Sequence, residues 1–220
     1  MIFSFQVTIP KYSAILWYSA IKSIVKVSSF VSETKKIIMA NQTWALDPTH
    51  SELQFKIKHL MISTVSGQFT QFKATVETEN DDFSKAKVHF EAVVDSISTS
   101  NEQRDAHLKN GDFFDAEQYP AITFASEKME ETGDDEYKLQ GILTMRGVSK
   151  KIILNAEFGG ITKDPWGNTR TGFSVTGKIN RNDFGMSFGA VSETGGLLLG
   201  DEVKINANVQ FVKEAVAYAA

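Results

Sequence analysis

An all-β fold is predicted for this 220-residue chain, on three observations. From Trp44 onward apolar and polar residues alternate with a period of two, the pattern of half-buried strands. Clusters rich in Gly, Asp, Asn and Pro separate the alternating runs. No long helical pattern falls between those runs, so neighbouring strands should mostly pair antiparallel.

The elements follow in order. Leu53, Phe55 and Ile57 alternate with Gln54, Lys56 and Lys58, and a second strand runs near 67–78. Val88, Phe90, Ala92 and Val94 alternate with His89, Glu91, Val93 and Asp95. The series then breaks for a short helix at about 101–110. Ser100 is the expected N-cap, with Gln103 three residues on as in a capping box. Asp105 and Lys109 have i,i+4 spacing, and Gly111 suits the position after the helix. A turn at 112–118 ends before Pro120, because the residue preceding a proline resists the helical region. Strands resume around Ile122 and Phe124, and then at 137–145, 152–158, 173–179 and 203–211. That makes about eight strands.

Strands with one solid apolar face must curl onto themselves or pack against a second sheet. Eight antiparallel strands can close into a barrel with room for one small ligand, whereas a sandwich would fill its interior. Periodicity does not separate the two. Gly141, Gly172 and Gly177, in or beside strand patterns, leave room or permit sharp bending, which favours a barrel with internal space. Phe113 and Phe114 lie on a connecting segment where a lid would be useful.

Composition narrows the chemistry. Apolar and charged contents of 42% and 23% are those of an ordinary globular protein. The absence of Cys excludes disulfides, thiolate metal sites and cysteine nucleophiles. Residues 1–39 hold five basic residues and one acid, so the remainder carries 18 basic and 26 acidic residues, a net of −8. With no Lys/Arg cluster able to form a basic face, nucleic acid is not an expected partner.

The first 39 residues differ in texture from the rest. Their longest uncharged runs have ten residues, too short to span a bilayer, so stable membrane insertion is not expected. Lys22 and Lys26 interrupt the apolar stretch that a signal peptide would need. "MANQTWALDPTHS" reads as a natural start at Met39. On that reading residues 1–39 are a non-native or disordered extension, 42–213 the barrel and 214–220 a tail, and the protein is cytoplasmic. The alternative is a periplasmic or secreted protein.

The candidates for catalysis are Arg104, Asp105 and His107. Arg104 and His107 share a helix face and could meet a ligand headgroup. The favoured reading is a hydrogen-bonded clamp that ties the helix to the barrel rim. No G-x-S-x-G turn accompanies them, and no H-x-H or H-E-x-x-H spacing links His50, His59 or His89 to a metal. The Gly-rich run 185–200 lacks the G-K-[ST] of a phosphate loop and reads as a connection. Its Leu197, Leu198 and Leu199 point to docking on an apolar surface, at the tunnel mouth or on a partner subunit, or else to burial in the core.

Four runs carry a resemblance: "WALDPTHSELQFKIKHL" (44–60), "STSNEQRDAHLKNGDFFDAEQYPAITFAS" (98–126), "GILTMRGVSKKIIL" (141–154) and "INRNDFGM" (179–186). Together they resemble the YceI-like family of polyisoprenoid-binding proteins, collinearly over about 42–213. The resemblance implies an extended lipocalin-like antiparallel barrel. It also implies a tunnel for the chain of an isoprenoid quinone or polyprenyl lipid, and a possible homodimer. Many members are exported with a signal peptide, and this chain departs from them there.

The function expected is thus non-enzymatic binding, transport or sequestration of an isoprenoid lipid, with neither metal nor catalytic residues and no cofactor beyond the lipid. Tunnel-lining or mouth residues are expected among Phe55, Ile57, Phe69, Phe72, Phe90, Phe113, Phe114, Phe124, Leu139, Leu143 and Phe173, with Arg104 and His107 near the headgroup. The alternatives are a small hydrolase or isomerase-like enzyme using the Arg104, Asp105 and His107 region, and a ligand-free structural or stress module.

Overall fold

The structure, a computed structural model, describes residues 41–189 and 198–215. The strands are β1 (Asn41–Leu46), β2 (Glu52–His59), β3 (Ser63–Phe69), β4 (Phe72–Glu79), β5 (Asp82–Val93), β6 (Ile97–Ser98), β7 (Ala121–Gly133), β8 (Glu136–Met145), β9 (Val148–Lys163), β10 (Thr169–Asn180) and β11 (Leu199–Lys213). A helix, α1 (Glu102–Lys109), lies between β6 and β7.

Every strand pairing is antiparallel, and eight strands close a ring in the order β1-β4-β5-β7-β8-β9-β10-β11. The ring shuts where Trp44 and Leu46 of β1 oppose Lys213 and Phe211 of β11. This is the predicted eight-stranded antiparallel barrel. β2, β3 and β6 extend it, because β11 offers its C-terminal part to β1 and the rest of its length to β2. Closure removes the unpaired edges that so long a sheet would otherwise present.

The separation of β1 from β2 is written in "LDPTHS". Pro48 opens a single 3-10 turn, and the Asp47 side chain caps it by accepting from Thr49 N at 3.0 Å. Arg170 braces the break from β10, donating to Asp47 at 2.6 Å and to Asp164 of the β9–β10 hairpin at 2.7 Å. Both carboxyls sit well below the usual carboxylate value of 3.8. Asp47 is lowered first by Thr49 and then by Arg170. Asp164 is lowered to about 2, first by Arg170 and then by Asn168.

Four local expectations need correction. The strand expected near 67–78 is broken at Thr70 and Gln71 into β3 and β4. Buried Ser96 fills the break, its backbone oxygen accepting from Thr70 N and its hydroxyl from Gln71 N. The helix cap is Asn101, whose side chain accepts from Arg104 N at 2.9 Å, while Ser100 adopts a left-handed φ of 59°. Asp105 turns back to Thr99 instead of pairing with Lys109, whose ammonium lies 3.7 Å from Asp95. Gly111 is not a left-handed cap either, since the helix ends on the extended backbone of Asn110.

Two of the three glycines in the wall, Gly141 and Gly177, open space for the wall's own side chains and not for a guest. A Cβ on Gly141 would fall 2.5 Å from the Phe124 ring, and one on Gly177 2.3 Å from Leu154. Those absent side chains make room for neighbouring side chains of the wall. Gly172 lies where the β9–β10 register shifts, which fits the bending expected of it.

Candidate functional site

The inward faces of the strands enclose a cavity of about 500 Å³, within the roughly 300–1,000 Å³ typical of small-molecule sites. One end is plugged. Phe83 packs its ring on Trp44, Phe158 and Phe173 at centroid distances of 5.5, 5.3 and 5.2 Å. Trp44 is fully buried and its Nε1–H donates to Thr78 Oγ1 at 3.1 Å, so the one polar atom of the indole is satisfied. Sequence reasoning missed Phe83, because it stands just after the turn "ENDD" and outside any alternating run it recognised.

The walls are built from inward-facing residues of the strands, β2 to β5, β7, β8 and β10 among them. Phe55 and Ile57 of β2, Phe69 of β3, Phe72 of β4 and Phe90 of β5 line the cavity. So do Phe124 of β7, Leu139 and Leu143 of β8, and Phe173 of β10. Phe55 and Phe69 sit 5.8 Å apart, Phe72 and Phe90 6.2 Å. Small residues complete the wall at Ala74, Ala92, Ala156 and Ala207, and here alternation says which way a residue faces but not that its smallness leaves space.

At the other end lie α1 and the segment after it. Arg104, His107, Phe113 and Phe114 all border the cavity. Phe114 meets Phe69 edge-on at 5.9 Å. His107, Phe113 and Phe188 form a cluster with centroids 4.9 to 5.2 Å apart. Since Phe188 is 42% exposed, this cluster is where the cavity meets the surface. Leu198 and Leu199 also line it, consistent with the mouth position considered for the leucine run, while Leu197 lies outside the described residues. The extension 1–39 and most of the tail 214–220 lie outside them too.

Two arginines hold this end together, and both stand in stretches that read as plain turns. Arg146, in the β8–β9 turn, donates to the carbonyl oxygens of Gly111, Phe113 and Gly185 at 2.7, 2.9 and 3.0 Å. Arg181 is 4% exposed and donates to the carbonyls of Met186, Phe188 and Gly200 and to Asp201. A buried guanidinium is tolerable when its fork is filled in this way.

The polar residues among the lining are few: Gln54, His59, Arg104, His107 and Arg181. No carboxylate is among the described residues that line the cavity. Arg104 donates from Nε to Thr99 Oγ1 at 2.7 Å and from Nη2 to Thr99 O at 2.8 Å. Asp105 accepts from both the Thr99 amide and its hydroxyl. Arg104 and Asp105 therefore make the clamp to the rim that the sequence favoured. His107 Nε2 lies 3.0 Å from Asp112 Oδ2. Among the described residues no three His, Asp or Glu side chains converge as a metal site, and no helix is long and apolar enough to cross a membrane. The arrangement can desolvate a long apolar guest and offer it N–H donors at one end.

Residues 44–211 match the family model described as the YceI-like domain. The chain belongs to the YceI-like family. The UPF0312 protein SAS2572 of Staphylococcus aureus is 42% identical over 174 residues, covering 79% of this chain and 98% of that one. The crystal structure of a YCEI protein from Campylobacter jejuni is 35% identical and superposes with a TM-score of 0.62 over 72% of this chain and 90% of that one. A polyisoprenoid binding domain from Saccharophagus degradans shares the fold at 13% identity, with a TM-score of 0.58 over 78% of this chain and 98% of that one. The YceI-like barrel seen here thus has solved counterparts of the same architecture.

Proposed function

We propose that this YceI-like protein binds an isoprenoid lipid, a polyprenyl chain or the tail of an isoprenoid quinone, and carries or sequesters it without covalent chemistry. One observation carries the reading: a cavity of about 500 Å³, apolar along its walls, plugged at the Phe83 end and reaching the surface beside His107 and Phe188. Such a shape suits a guest that is oily over its length and polar at one end. The tail would displace water from the Phe and Leu walls at roughly 25 cal/mol per Å² of apolar area, less the cost of ordering it. The head would rest near Arg104 and His107. The polyisoprenoid binding domain from Saccharophagus degradans, which shares the fold, supports the ligand class. The hydrogen bonds that Arg104 and Asp105 spend on Thr99 support a bracing role for those residues over a catalytic one.

The test is chemical extraction. Protein purified without detergent, extracted with organic solvent and analysed by mass spectrometry should release a prenyl lipid, and protein stripped of it should take up an isoprenoid quinone from solution. An empty extract together with no uptake would overturn the proposal.

A further inference from the structure

The hairpin joining β2 to β3 turns on residues of the wrong chemistry for its geometry. Leu60 and Met61 hold left-handed φ angles of 52° and 60°, a region where bulky side chains are rare and Asn, Asp or Gly are the usual choice. The same barrel shows that choice elsewhere. The β4–β5 turn places Asn80 and Asp81 at φ 53° and 63°, and the β8–β9 turn places Arg146 and Gly147 at 52° and 70°. At the β2–β3 tip the residues are Leu60, Met61 and Ile62, exposed by 40, 60 and 84%. Burial does not explain them, and the turn would form more easily without them.

Their place in the molecule is at the cavity mouth. Leu60 N donates to Leu198 O at 2.8 Å, and both Leu198 and the neighbouring His59 line the cavity. Behind the tip the pairing of β2 with β11 brings together lysines far apart in sequence, a local basic patch that the sequence reading did not anticipate. Lys56 lies directly across from Lys204 on β11, and both are exposed, as is Lys58. The exposed acids on this face of β2 and β11 are Glu202, engaged by Lys178 at 3.3 Å, and Glu52 at the far end of β2, which accepts from Gln54 and Asn208. At about 3.3 Å per residue Lys58 stands about 7 Å behind Leu60 and Lys56 about 13 Å, and a surface charge is felt over about 8 Å at physiological salt. On a chain of net charge −4, an apolar tip backed by these lysines is complementary to one kind of surface, a bilayer carrying anionic lipid.

We infer that the Leu60–Met61–Ile62 tip docks the barrel mouth onto anionic membrane, so that a lipid passes between bilayer and cavity without crossing water. The inference rests on the lipid-binding reading for its purpose, but the docking is measurable by itself. The tip touches only the headgroup region of the leaflet it faces and leaves the barrel outside the hydrocarbon.

The experiment is co-sedimentation of the full chain with vesicles of phosphatidylcholine alone and with equal parts phosphatidylglycerol. Wild type should sediment with the anionic vesicles, and less at high salt. The variant Leu60→Asn/Met61→Gly/Ile62→Ser, whose turn residues favour the same backbone, should lose at least tenfold in vesicle affinity. It should still take up an isoprenoid quinone from detergent-free solution. Lys56→Gln, Lys58→Gln and Lys204→Gln should each reduce vesicle affinity, by up to about fivefold for the one nearest the surface. Failure of wild type to bind anionic vesicles, or equal binding by the tip variant, would overturn the inference. Loss of quinone uptake by wild type would instead overturn the proposed function, leaving vesicle docking to be judged alone.

Discussion

Arg104 donates through its Nε to the hydroxyl oxygen of Thr99, 2.7 Å away. The same hydroxyl donates to Asp105, so one small side chain organises the start of the helix that borders the cavity mouth. The charged side chains of "RDAH" are engaged by groups of the chain itself, Arg104 and Asp105 by Thr99 and His107 by Asp112.

Replacing that hydroxyl tests the brace. Thr99→Val keeps the shape but leaves the Arg104 Nε without its partner and Asp105 with only the amide of residue 99. We expect a loss of about 1–3 kcal/mol in urea unfolding and faster proteolysis near α1. A Thr99→Ser variant should retain most of the stability.

Filling the cavity should separate binding from folding. Ala156 is 4% exposed and lines the cavity, so Ala156→Phe would place a ring where a guest would lie. Quinone uptake is expected to fall at least tenfold, with a stability change no larger than the roughly 1–3 kcal/mol of overpacking. Fluorescence titration and thermal melts on the same sample would read both.

Removing the plug should lengthen the guest. Phe83→Ala deletes a ring that touches Trp44, Phe158 and Phe173, at an expected cost of about 3–5 kcal/mol. If the folded variant retains the space, mass spectrometry of extracted lipid should show a shift towards longer prenyl chains.

Acid should loosen the β1–β2 break. Asp47 and Asp164 are both depressed below 3.8 by hydrogen bonds that include those from Arg170. Their stabilisation is therefore complete at neutral pH and is lost as the pH falls from about 4 through 2 and below. Wild type should show a falling urea midpoint across that window. Asp164→Asn should start lower at pH 7 and fall less.

The wall of the barrel was legible in the sequence because inward-facing residues must recur at every second position, and Phe55, Phe90 and Leu139 could be read directly. The split at Thr70 and Gln71 was not, because it depends on Ser96, some 25 residues away. Asn101 lost the capping role to Ser100 on paper because both side chains can accept from a helix N-terminus, and only the backbone angles choose between them. Arg146 and Arg181 were invisible as staples, since "RGVSK" and "RNDFG" carry the composition of exposed turns. The same bias towards residue types hid the β2–β3 tip, where Leu, Met and Ile give no turn signal at all.

The role of β11 in closing the ring has a consequence in time. Its partners β1 and β2 are made first, yet they find hydrogen bonds on this side only after well over a hundred further residues have been added. At roughly 5–20 residues per second of synthesis, the nascent chain spends on the order of ten seconds or more with its oily lining turned towards water. A holdase that recognises such half-finished intermediates would therefore be needed most during translation, and least once the last strand has zipped in.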